Sequence, residues 1–221
     1  MPFAKLKSGL VSFARVPRSG GSSVENYLHG RFEKLGFLDR AHNQHPLGAD
    51  WNMTSPQHID RETLERLLPA DLFLARFAVV RHPVSRLQNV FLHNRDGSGD
   101  IPVDMTFETW IADLPNLRRE QSAYLDNHSL PTNNFVPDDA QVFKLEDGMA
   151  LVETWLDGLE GSTSSWSIKM VHSRDQVLAK HGKPVTPHVV TDAARALIED
   201  LFAVDYARFG YGRSIRLHDK G

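Results

Sequence analysis

The sequence predicts an α/β fold, a single domain whose central parallel sheet is flanked by helices. Three observations predict it. Short apolar runs rich in Val, Phe and Ala recur at 10–16, 75–81 and 141–145. Segments with helical spacing of apolar residues separate them, and alternation of this kind is the pattern of a parallel sheet with crossover helices. The chain has 221 residues with 41% hydrophobic content, enough to bury one full core.

The first strand, Leu10 to Val16, runs into Pro17-Arg18-Ser19-Gly20-Gly21-Ser22-Ser23, and a helix follows from about Ser22 to Leu35. A second helix is expected from about Asp60 to Leu68. The run Ala75-Arg76-Phe77-Ala78-Val79-Val80-Arg81 reads as a strand buried on both faces. Pro83 suits the first turn of the next helix, expected from Pro83 to Asn94. Gly, Pro, Asn and Asp mark residues 95–104 and 126–140 as loops. Gln141 to Leu145 forms the third strand, and Glu146-Asp147 leads into an amphipathic helix carrying Val152, Trp155, Leu156 and Leu159. Residues 161–165 read as a loop, and a last helix spans Thr191 to Phe202. The expected core is about 10–211.

A formal net charge of −3 argues against wholesale binding of nucleic acid or anionic membrane, while leaving room for a local basic pocket. The absence of cysteine excludes disulfides and thiolate metal sites and suits a reducing compartment. The apolar stretch before Gly9 is too short for a signal peptide, and no run of eighteen apolar residues occurs. A soluble cytoplasmic protein is expected.

Two strand-to-helix edges carry the chemistry. At the first, Gly20 and Gly21 permit close backbone approach, Ser22 and Ser23 add hydroxyls, and Arg18 adds a cation at a helix N-terminus. At the second, Arg81 ends its strand, with Ser85 and Asn89 following at i+4 and i+8. An Arg fork with neutral donors suits a terminal phosphate. Ligands on parallel sheets bind beyond the carboxyl ends of the strands, so the two edges are expected to serve one ligand.

With both edges in view, the chain resembles the PAPS-dependent sulfotransferases, of the carbohydrate type. Pro17 to Ser23 is similar to that family's loop for the 5′-phosphosulfate, and Phe77 to Leu87 to its 3′-phosphate segment. His58-Ile59-Asp60-Arg61-Glu62-Thr63-Leu64 resembles its His-containing stretch. Val142 to Asp147 and Asp205 to Tyr211 resemble its later strand and C-terminal signature. The resemblance implies a P-loop-like sulfotransferase fold and PAPS as sulfuryl donor, with PAP as product. Arg18, Ser19, Gly20, Gly21, Ser22 and Ser23 would hold the 5′-phosphosulfate, and Arg81, with Ser85 or Asn89, the 3′-phosphate. His58 would be the general base, and Arg18 would stabilise the leaving phosphate. The family usually has Lys where Arg18 stands, and Ser where Asn89 stands. Arg brings a fork that stays protonated, so it can stabilise charge without acting as an acid.

The acceptor is expected to be a carbohydrate-like or other small hydroxyl compound. His42, His45 and Asp50 have metal-ligand types, but residues 41–56 have loop composition and the implied reaction uses no metal. With Trp51 they are read as lining an acceptor pocket, with Gln121 and Tyr124 in a similar role. Trp110, Trp155 and Trp166 are read as packing residues, and Arg118-Arg119 as a solvated helix face. Two other readings remain: a module that binds PAP or PAPS without turnover, and a P-loop nucleotide phosphotransferase. The latter expects Gly-x-x-x-x-Gly-Lys-Ser/Thr, and the one Gly-Lys pair, Gly182-Lys183, precedes Pro184.

Overall fold

The computed structural model describes residues 1–46, 49–171 and 189–212. Five strands form one sheet: β1 (Phe3–Lys5), β2 (Leu10–Ala14), β3 (Leu35–Gly36), β4 (Phe73–Val80) and β5 (Gln141–Lys144), in the order β3-β1-β2-β4-β5. The three expected strands form a parallel unit, β2 beside β4 and β4 beside β5. The sheet as a whole is mixed, which corrects the expectation of a parallel one, because β1 pairs antiparallel with both β2 and β3. Strands of three and two residues are too short to carry a period-2 signal. Their contact is nonetheless specific: a Cβ on Gly36 would lie 2.3 Å from the Phe3 ring, so only glycine lets that ring cover the strand.

The helices are α1 (Gly21–Phe32), α2 (Arg61–Leu67), α3 (Pro83–Leu92), α4 (Phe107–Glu120), α5 (Ala150–Glu160), α6 (Asp192–Leu201) and α7 (Ala203–Phe209). Alternation along the strands divides the core. Phe13, Phe77 and Val79 face α1 and α5, where they meet Val24, Leu28, Val152 and Leu156. Ala14, Ala78 and Val80 face the other way, onto Ile59, Leu64, Phe135 and Phe209. The Phe13 and Phe77 rings, opposite each other in register, stack at 4.9 Å. A third apolar cluster joins α3, α4 and α6 through Phe91, Trp110, Ile198 and Phe202.

Termination follows local chemistry. Asp60 caps α2, accepting from the Thr63 N–H at 2.9 Å, and Thr106 and Thr191 cap α4 and α6 the same way. His82 caps α3 through Nδ1, and Pro83 occupies the first turn as expected. No helix among the described residues is long and apolar enough to cross a membrane.

Candidate functional site

The parallel strands β2 and β4 end side by side, and each delivers arginine to the same place. Arg15 lies one residue beyond β2, Arg18 lies in the following turn, and Arg81 follows β4. The Arg81 guanidinium reaches the Arg18 carbonyl oxygen at 3.5 Å. Arg18 adopts the left-handed region, φ 63, and Gly20 does so at φ 82, so the turn folds tightly onto the start of α1. Arg15 crosses that start. A Cβ on Gly21 would lie 2.8 Å from Arg15 Nε, so Gly21 makes room for a guanidinium of this chain itself.

The three cations are balanced unequally. Arg15 forms an ion pair with Glu25, Nε to Oε1 at 2.5 Å, and Glu25 is almost wholly buried on α1. Arg81 has Glu146 in its field. Arg18 has neither: its Nε is buried without a hydrogen-bond partner, and among the described residues no carboxylate pairs with it. Burial, then repulsion from Arg15 and Arg81, pulls its pKa down to about 10. Uncompensated guanidinium at a helix N-terminus is a cradle for an anion.

The loop residues divide in the same way. Ser22 Oγ accepts from Arg15 at 3.3 Å. Ser19 Oγ is buried without a hydrogen-bond partner. Ser23 is turned inward, its N–H donating to the Gly20 carbonyl at 3.0 Å and its Oγ accepting from the Val171 N–H at 3.0 Å. At the second edge, the Asn89 amide donates to the Ser85 carbonyl at 3.1 Å, tying it to the preceding helical turn, and Ser85 is half-buried. Neighbouring His82 is a structural residue, its N–H held by Glu146 at 2.8 Å.

His58 stands in the same basic corner. A short turn, Pro56–His58, precedes the Asp60 cap of α2 and directs the ring inward, where it is 5% exposed. Nδ1 faces Asp126 Oδ2 at 2.6 Å. Ser55 holds the same carboxylate through its N–H at 2.8 Å and its Oγ at 2.7 Å. This network assigns the proton to Nδ1 and leaves the lone pair on Nε2, which faces the Arg15 guanidinium. Burial and then Arg15 lower the His58 pKa to about 4, against the opposing pull of Asp126. Burial alone would raise the Asp126 carboxyl, but the hydrogen bonds from His58 and Ser55 bring it below its ordinary value. The ring is therefore a neutral, oriented base at physiological pH.

Sequence reasoning missed Arg15, Glu25, Asp126 and the neighbouring His128, whose ring meets the His58 ring edge-on at 4.6 Å. Arg15, a charge at the end of an apolar strand, was a legible signal. Asp126 was not, because it sits in an irregular turn where Ala123, Leu125, Asp126 and Asn127 all have positive φ. Non-glycine residues there cost about 1–2 kcal/mol each, and the surrounding structure holds them in place. Asn127 donates to the His58 carbonyl at 3.1 Å. Fully buried Arg86 donates to the carbonyls of His128 and Leu130 at 3.1 and 2.7 Å. Asp205, also buried, accepts from the N–H groups of Thr132 and Asn133, both at 2.8 Å. Asp205, read from sequence only as part of a terminal signature, thus anchors the turn at Thr132–Asn134 that follows.

The expected acceptor residues are scattered. Tyr124 is a packing residue, its hydroxyl accepting from Trp110 Nε1 at 3.1 Å, whereas Gln121 is exposed. Trp110 is buried and Trp155 stacks near Phe77, as expected of packing residues; Trp166 is exposed but covers Gly30. Arg118 departs from a solvated face, since it reaches Ser129 and lies 5.1 Å from the Phe202 ring, while Arg119 is exposed. Trp51 is exposed against Phe37, beside the cluster of His42, His45 and Asp50. A groove of about 600 Å³ along the outer edge of β5 contains none of the residues of the basic corner.

No protein-family model, curated protein or solved structure matches this chain.

Proposed function

We propose that the protein is a sulfotransferase that moves a sulfuryl group from PAPS to a hydroxyl of a carbohydrate-like or other small acceptor. The observation that carries the reading is Arg18, a partly buried guanidinium flanked by Arg15 and Arg81, its Nε buried without a hydrogen-bond partner and with no carboxylate partner among the described residues, within the same corner as an oriented neutral imidazole. Such a corner favours a polyanion next to a proton acceptor.

In this reaction the acceptor oxygen forms a bond to sulfur as the bond from sulfur to the bridging phosphate oxygen breaks. The acceptor proton goes to His58 Nε2, and PAP leaves with the electron pair of the broken bond. Asp126 holds the ring and stabilises the imidazolium that forms. Arg18 and the free N–H groups at the start of α1 offset the charge on the departing phosphate, and Arg81 would hold the 3′-phosphate. Turnover requires Arg15 to release Nε2, because its guanidinium occupies that lone pair. The same contact favours a second reading, a module that binds PAP without turnover.

Calorimetric titration with PAP, ATP and AMP tests the ligand: PAP should bind well ahead of both. ATP binding as tight as PAP would sink the proposal. Radiolabelled PAPS offered with a panel of sugars and small alcohols then separates enzyme from module by labelled product.

A further inference from the structure

The geometry points to a divalent metal site, of the zinc class, formed by Asp39, His42 and His45 and supported by Asp50. One ligand atom from each of Asp39, His42 and His45 lies within 4.8 Å of the others. His45 Nε2 stands 3.3 Å from Asp39 Oδ2. That is the length of a tetrahedral edge, about 3.3 Å, for ligand bonds of about 2.0–2.1 Å.

The surroundings prepare these atoms for a cation. His45 Nδ1 is 2.7 Å from Asp50 Oδ1, which can hold the ring proton there when Nε2, facing Asp39, takes a cation. A carboxylate behind an imidazole is the arrangement that orients metal-binding histidines. The same Asp50 oxygen lies 3.2 Å from His42 Nδ1, so one carboxylate orders both rings. Asp39 is fixed by Gln57, which accepts from its N–H at 3.0 Å and donates to its carbonyl at 2.9 Å. Asp39 Oδ1 accepts from the Ala41 N–H at 2.9 Å, which leaves Oδ2 available.

Charge and donor type select the ion. Among the described residues no Lys or Arg pairs with Asp39 or Asp50, and neighbouring Arg40 donates to Asn26 instead. The two carboxylates carry the charge that one divalent cation balances. Two nitrogens and one oxygen suit zinc, with a fourth position left for water. His45 and Asp39 are partly exposed, at 36% and 28% of their side chains, so the site is open to solvent. The His58, Asp126 and His128 cluster has the same residue types but faces the Arg15 guanidinium, which repels a cation.

The full-length chain, stripped with a chelator, would be titrated with Zn²⁺ against a chromogenic chelator and with Co²⁺ followed by visible absorption. One equivalent should bind, with the intense absorption of four-coordinate Co²⁺. His45→Ala should abolish the absorption, Asp50→Asn should weaken affinity about 10–100-fold, and Asp126→Asn should change neither. A melting curve of metal-free His45→Ala matching that of the metal-free parent shows that its loss is not unfolding. Failure to bind one equivalent would mean that His45 serves only as an ion-pair partner of its two carboxylates, and the site would be refuted. Loss of binding in Asp126→Asn but not in His45→Ala would refute it as well.

Discussion

Two clusters of histidine and aspartate lie on either side of Gln57, and they are built for opposite ends. Around His58 the ring is buried, Asp126 holds Nδ1, and a guanidinium faces Nε2. Around His45 the ring is partly exposed, Asp50 holds Nδ1, and a second carboxylate faces Nε2. An imidazole ordered by a carboxylate is common to both. What differs is the charge across the free nitrogen: a cation there suppresses protonation and metal binding alike, whereas an anion invites a cation. The residue types alone do not separate the two clusters; the third partner does.

The largest expected effect that tests this contrast is at the base. If the proposed reaction holds, His58→Ala should lower kcat for sulfuryl transfer about 10²–10⁴-fold while leaving the PAP dissociation constant within error in calorimetry. Full activity in that variant would remove His58 from the chemistry. Next is Arg15. Arg15→Gln leaves buried Glu25 without its partner and should cost about 3–5 kcal/mol in denaturant unfolding, whereas the double variant Arg15→Gln/Glu25→Gln should regain most of it. In the double variant the His58 pKa rises, since a cation that lowers it is gone, and the acidic limb of kcat/KM should move toward higher pH. A limb that stays fixed would show that Arg15 does not act on Nε2.

Stability against pH gives the third effect. The folded His58 pKa, about 4, is depressed below the ordinary value of 6.5. The unfolded chain therefore binds more protons between these values, and stability is fully present above pH 6.5 and falls as pH drops toward 4. The contribution is about 3 kcal/mol for such a shift, and buried His128, also depressed, acts in the same direction. Urea unfolding from pH 7 to 4 should show the slope, and His58→Asn should flatten it. An unchanged slope would mean that the ring is solvated in the folded state.

The parallel unit of the fold was legible because Leu10–Ala14, Phe73–Val80 and Gln141–Lys144 are short segments rich in Val, Phe and Ala with turn chemistry after them. Helix α4 was not singled out, although it buries Trp110 and Leu114, because Pro115 and a charged end interrupt its pattern. In the candidate site, Arg18 and Arg81 stood out by their positions after strands, whereas His58 entered through the family resemblance. Asp126 reaches His58 across 68 residues from a turn whose continuation, residues 128–133, is held by Arg86 and Asp205. No local rule connects those four positions; only tertiary packing does. Tyr124 turns its hydroxyl to Trp110, an orientation that a tyrosine in a loop does not reveal in sequence.

The smallest effect at neutral pH concerns Arg18 itself. The resemblance makes lysine the usual residue there, and the corner supplies a reason for arginine. Desolvation and two neighbouring guanidiniums pull Arg18 down to about 10, which still leaves it protonated at pH 7. Lysine has the lower ordinary value, and the same desolvation and neighbouring guanidiniums would lower it further. On the proposed reaction, Arg18→Lys should thus retain most of the parent kcat/KM at pH 7 and lose it progressively as pH rises through the alkaline range, because the free protein sheds the cation that an anionic donor would need. The parent should stay level across that range. A level profile in Arg18→Lys would show that Arg15 and Arg81 do not crowd position 18, and the charge imbalance on which the basic corner rests would be gone.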